Sequence, residues 1–170
     1  MFKKLFFCFF LVNAGLFLFG QVGDRHYEPQ SNYSICPPRS WMILPYPGQP
    51  LKTFVEDAAD GYPGIMTFVS SLQPGSTVEK KWQVGQQNLA RAIPNYKAIS
   101  TSEFVTNKGL KGIRHIYTQK AGVYDQRVVL YTFVNSNGRS VTINCGVLLK
   151  HGSKYDKVFD ESVATLEIAN

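Results

Sequence analysis

The stretch 124–150, YDQRVVLYTFVNSNGRSVTINCGVLLK, decides the fold. From Arg127 to Val134 both alternating sets are apolar: Val128, Leu130 and Val134 on one side, Val129, Tyr131 and Phe133 on the other. A strand with two apolar faces belongs inside a sheet that is covered on both sides. Ser136-Asn137-Gly138 then supplies residues that tolerate positive φ, so the strand over 139–150 returns antiparallel to it. Upstream, 98–106 and 111–119 read as two more long strands, joined at Asn107-Lys108-Gly109 and followed by the turn Ala121-Gly122. The economical arrangement of these four strands is an antiparallel meander.

On either side of the meander lies a helix. Ser76 with Glu79 three residues on has the form of a capping box. Val78, Trp82, Gly85, Leu89 and Ile93 then recur at helical spacing until Pro94-Asn95. At the other end Ser153 is expected to cap a last helix. Its stripe is Tyr155, Val158, Phe159, Ser162, Val163 and Leu166, with Lys154, Lys157, Asp160, Glu161 and Glu167 on the wet side. All nine prolines fall between Pro29 and Pro94, so the first half is punctuated. Short strands are expected at 32–36, 41–44, 51–56 and 65–72, with loops at 45–50 and 57–64. Short strands, a helix, a long meander and a terminal helix make an α+β protein, with helices over an antiparallel β-sheet.

A chain of 170 residues suits one compact domain. The basic pair Lys3-Lys4, the apolar run 5–19 and Gly20-Gln21 have the layout of a secretory signal peptide. That run is shorter than the roughly 20 residues that span a bilayer. The expected organisation is a signal peptide over 1–20, a flexible N-terminal arm over 21–31 and a single domain over 32–170. Without Lys3 and Lys4, the formal net charge of +6 falls to +4. No basic run accompanies it, which argues against nucleic acid. No later apolar run is long enough to cross a membrane, so an exported protein, periplasmic or secreted, is expected. Cys8 lies inside the apolar run rather than after a cleavage point, so lipid anchoring is disfavoured. Cys36 and Cys145 remain, either as one disulfide across the domain or as two buried thiols.

Catalytic patterns are sparse. His26, His115 and His151 have no metal-ligand spacing, G-x-S-x-G is missing, and neither cysteine has an activating neighbourhood. Glu56-Asp57-Asp60 lacks the order of a calcium loop, and Gly109 and Gly112 do not open a helix after a strand. No cofactor is expected. Two features stand out for binding. Trp41, Tyr46 and Tyr62, with Pro45, Pro47 and Pro63, could present an aromatic edge. Lys108, Lys111, Arg114 and Lys120 share one hairpin and could meet an acidic partner.

Tyr33-Ser34-Ile35-Cys36-Pro37-Pro38-Arg39-Ser40-Trp41, a Pro/Gly loop and then Gly64-Ile65-Met66-Thr67-Phe68-Val69 resemble the opening of the PsbP-like superfamily. That opening is an aromatic strand followed by Pro-x-x-Trp, and the later helix, meander and terminal helix suit it over roughly 32–168. The resemblance implies an α/β/α sandwich and members that act by binding proteins, among them photosystem assembly subunits, a Ran-binding protein and bacterial envelope or secretion-chaperone relatives. It brings no catalytic set to transfer. The expectation is therefore an exported, non-enzymatic protein-binding or assembly module of the bacterial cell envelope. One alternative is a carrier whose pocket, lined by Trp82, Tyr131 and Phe133, takes an apolar or anionic ligand. Another is a hydrolase using His115 with a hydroxyl or carboxylate from a neighbouring strand.

Overall fold

A computed structural model describes residues 22–44, 53–56 and 63–170 of the protein. The signal segment 1–20 and the candidates Tyr46 and Tyr62 lie outside those residues. In chain order the elements are β1 (His26–Glu28), β2 (Tyr33–Ile35), β3 (Met42–Leu44), β4 (Thr53–Val55), β5 (Ile65–Leu72) and α1 (Val78–Ala92). Then come β6 (Lys97–Val105), β7 (Lys111–Ala121), β8 (Tyr124–Val134), β9 (Arg139–Leu148), a 3-10 turn (Leu149–His151), α2 (Asp156–Ala164) and β10 (Glu167–Ile168).

Among the described residues, seven strands form one antiparallel sheet in the order β3-β4-β5-β9-β8-β7-β6. As its double apolar pattern predicts, β8 is interior and buried on both faces. Val128 and Leu130 join Tyr117 beneath Trp82 and Leu89 of α1 and Ile93 at its end. Val129, Tyr131 and Phe133 face the opposite way, into the main core with Phe159, Val163 and Leu166. Burying each such aromatic contributes roughly 1.5–3 kcal/mol. Opposite Phe133 stands Gly112. A Cβ there would lie 2.7 Å from the Thr132 carbonyl oxygen and against the Phe133 ring, so this register needs glycine.

The helices differ from expectation in detail. Thr77, not Ser76, caps α1, accepting from the Lys80 N–H. Ser76 belongs to the turn around Pro74-Gly75, where its N–H donates to the Gln73 carbonyl. Ser153 likewise closes a turn with Asp156, and α2 starts at Asp156 without a side-chain cap. Asp160 is not on the wet side of α2. It points at the sheet, where Arg114 and Tyr131 donate to it.

A second sheet, β1-β2-β10, is absent from the sequence reading. Part of the stretch read as a flexible arm is strand β1, held antiparallel to β2, with Glu28 buried. The chain's end returns as β10 along the other side of β2. Together with α2 this small sheet covers the face of the large sheet opposite α1. Both Cys36 and Cys145 are free thiols, so the bridge does not form. Cys36 follows β2, its backbone held by Thr165 (2.8 Å) and Ser162 (2.7 Å), whereas Cys145 is locked in the core between Met66 and Val129 of the large sheet.

Candidate functional site

The β6–β7 hairpin closes the large sheet on one side, and among the described residues β7 is the only strand paired with β6. Every residue of β6 except Phe104 is exposed. Its sequence, KAISTSEFV, is rich in hydroxyl and β-branched residues, which favour an extended backbone. A bulge interrupts the pairing between Ala98 and Ser100; beyond it the strand runs regularly from Ser100, opposite Ile116, to Val105, opposite Lys111. Edge strands are commonly blunted by charge, proline or bulges. Here the bulge and Lys97 guard the start, and only Glu103 interrupts the rest. Ile99 and Val105 remain 53% and 47% exposed.

The four basic residues of this hairpin do not act together. Lys108 is exposed in the turn, where Gly109 takes φ +81° and donates to the Thr106 carbonyl. Lys111 is exposed and reaches Glu103 at 3.6 Å. Lys120 is exposed opposite Asp125 of β8. Arg114 instead faces inward, its side chain only 15% exposed, at 2.7 Å from Asp160 and 3.4 Å from Asp156. Its guanidinium lies 5.9 Å from the centre of the Tyr131 ring. Burial pulls its pKa down, but the hydrogen bond and charge of Asp160, with Tyr131, hold it above the usual range. Arg127 of β8 completes the cluster by pairing with Asp156 at 2.7 Å. Arg114 is thus a strut between sheet and α2. The signal that could have shown this is Asp156 and Asp160, four apart on one helical face.

His115 lies in a closed cluster under α1 and is 1% exposed. One ring nitrogen meets the Tyr96 hydroxyl and the other the Thr101 hydroxyl, each at 2.8 Å. The Trp82 ring is 4.8 Å away and the Tyr117 ring 5.6 Å. Burial lowers the His115 pKa, opposed by a hydrogen bond to the Ser100 backbone, and pushes Tyr117 up to about 12. Hydroxyls are within reach of this imidazole, but the packing closes it off from solvent. The pocket imagined between Trp82, Tyr131 and Phe133 does not exist either, since Trp82 packs on one face of the sheet and the other two are buried on the opposite face.

A cleft of about 570 Å³ lies beside β3 and is lined by Arg25, His26, Pro37, Arg39, Trp41 and Phe54, among others. Trp41 is half-buried, edge-on to Phe159 at 6.1 Å. Arg25 is already engaged by Glu167 at 3.3 Å and Ser34 at 2.8 Å. Of the acidic trio, Glu56 accepts from the Tyr155 hydroxyl at 2.7 Å, while Asp57 and Asp60 lie outside the described residues. Among the described residues no group of His, Cys, Asp and Glu could hold a metal ion.

No protein-family model matches the chain, and no curated protein matches its sequence. Solved structures do match. The solution structure of cyanobacterial PsbP (CyanoP) from Synechocystis superposes with a TM-score of 0.62 at 12% identity, covering 88% of this chain and 94% of that one. LpqN of Mycobacterium tuberculosis, involved in cell envelope biogenesis, gives a TM-score of 0.66 at 15% identity, covering 87% and 86%. PA94 of Pseudomonas aeruginosa, of unknown function, gives 0.60 at 9% identity, covering 86% and 97%. Such identities bear on architecture and leave activity open. With its interior β8, its helix on one face and its α2 with small sheet on the other, this chain has the PsbP-like fold.

Proposed function

We propose that the protein is an exported, non-enzymatic binding or assembly module of the bacterial cell envelope that holds a protein partner at the β6 edge. The observation that carries this reading is β6 itself: nine residues at the rim of a large sheet, exposed but for Phe104. Two groups that could do acid–base chemistry are already engaged, His115 by Tyr96 and Thr101 and Asp160 by Arg114 and Tyr131. The envelope role described for LpqN and the signal-like first 20 residues support export. Among the described residues no helix is long and apolar enough to cross a membrane.

The test is purification of a C-terminally tagged copy from its native envelope, with and without mild cross-linking, followed by mass spectrometry. A reproducible, stoichiometric protein partner is expected; elution alone under both conditions would overturn the reading. The cleft beside Trp41 favours a second reading, a carrier for a small molecule. Native mass spectrometry showing a retained small molecule would select it.

A further inference from the structure

We infer that the partner binds by strand addition: an extended segment with acidic residues at both ends lies along β6 and becomes the eighth strand of the large sheet. This inference rests on the binding-module reading and gives that partner a chemistry.

The backbone argument comes first. An edge strand leaves a row of N–H and C=O groups unpaired on its outer side, and main-chain pairing with an extended peptide satisfies them. From Ser100 to Val105 the ladder with β7 is regular, so the outer row is regular too. Ser100, Thr101 and Ser102 are small and exposed, which leaves room for alternate side chains of an added strand. Exposed Ile99 and Val105 offer apolar contact near either end.

Charge selects the occupant. Glu103 is matched by Lys111 at 3.6 Å within the hairpin, and Lys120 stands opposite Asp125. Lys97, which opens β6, and Lys108, in the turn beyond it, are left as exposed cations at the two ends of the strand. An extended segment with carboxylates at both ends meets them, and its middle faces hydroxyl and apolar groups. A second copy fits poorly. Antiparallel self-pairing of β6 would bring the lysine ends of one copy onto those of the other, in a chain whose formal net charge stays positive, at +4, without Lys3 and Lys4.

The test uses the isotopically labelled protein purified from the envelope and two blocked peptides, Asp-Asp-(Val-Thr)3-Asp-Asp and its counterpart with four Lys for the four Asp. The acidic peptide is expected to slow amide hydrogen exchange at least tenfold in the second half of β6, and to bind more weakly as salt rises. The lysine peptide should do neither. A K97E/K108E double variant, both substitutions on exposed positions, should melt at the unchanged temperature and lose at least tenfold in affinity for the acidic peptide. Protection outside β6, equal binding of both peptides, no protection, or concentration-dependent dimerisation that protects β6 would each overturn the inference. A captured stoichiometric partner whose cross-links avoid β6 would sink strand addition while leaving the binding-module reading intact. Failure to capture any partner sinks that reading instead.

Discussion

Arg114 and Asp160 meet at 2.7 Å across the join between β7 and α2, the Arg114 Nε–H donating to the same carboxylate oxygen that accepts the Tyr131 hydroxyl. Three elements are pinned at one atom. Losing one partner of a fully buried pair costs about 3–5 kcal/mol, because a charge is left uncompensated. Here the Asp160 side chain is 36% exposed, so the solvent-screened expectation is about 2 kcal/mol for Asp160→Ala. Urea unfolding of Asp160→Ala, Arg114→Ala and the double variant should show a coupling energy above about 1 kcal/mol. Strict additivity would mean that the pair does not hold α2 to the sheet.

Two buried tyrosines make a contrasting pair. The Tyr33 hydroxyl has no hydrogen-bond partner, and burial, with the charge of Glu28 adding to it, raises its pKa. The Tyr131 hydroxyl donates to a carboxylate. Removing an unsatisfied buried group is neutral or favourable, whereas removing a bond to a charge costs about 1.5–3 kcal/mol. Tyr33→Phe should therefore leave stability unchanged or raise it by up to about 1 kcal/mol, and Tyr131→Phe should lower it by about 2 kcal/mol. Equal losses in chemical denaturation would refute the difference in environment.

The His115 imidazole is neutral in the fold, its pKa lowered chiefly by burial. In the unfolded chain it titrates near 6.5. As pH falls below about 6.5 the unfolded chain takes up the proton first, so the stability present above that pH is lost as pH drops toward the lower native value. Denaturation midpoints measured from pH 7.5 to 4.5 should fall more steeply for the natural chain than for His115→Gln. Parallel curves would show that His115 contributes nothing to the acid sensitivity.

Burial raises the Cys145 pKa well above that of an ordinary thiol, with Asp160 adding to the effect and Arg114 opposing it. Under native conditions iodoacetamide should leave Cys145 unmodified by mass spectrometry, and unfolding should expose it. Since both thiols are free, reductant should not change the melting temperature. A drop on reduction would show a bridge after all.

The elements legible in the sequence are those with local causes. Residues 65–72 are rich in apolar and hydroxyl side chains and stop at a Pro-Gly turn, and they are β5. The sheet hairpins turn where Asn107-Lys108-Gly109, Ala121-Gly122 and Ser136-Asn137-Gly138 put them, with Gly109, Gly122 and Gly138 all at positive φ. The candidate site was only partly legible. Lys108 and Lys111 are exposed on the hairpin as read, but Arg114, counted with them, is turned inward by carboxylates 42 and 46 residues away. His115 looks the same in sequence whether it opens to a cleft or closes against Tyr96 and Thr101.

By itself the sequence determined the α+β class, the meander, its turns and the two-sided burial of β8, because alternation and positive-φ turn chemistry act over a few residues. Only the tertiary structure decided that β1 and β10 flank β2, that Asp160 faces the sheet and that β6 lies outermost. Alternation tells which side chains share a face of a strand. Which face is covered, and which strand is left at the rim, depends on contacts between residues far apart in the chain, such as Cys36 with Thr165 across 129 positions.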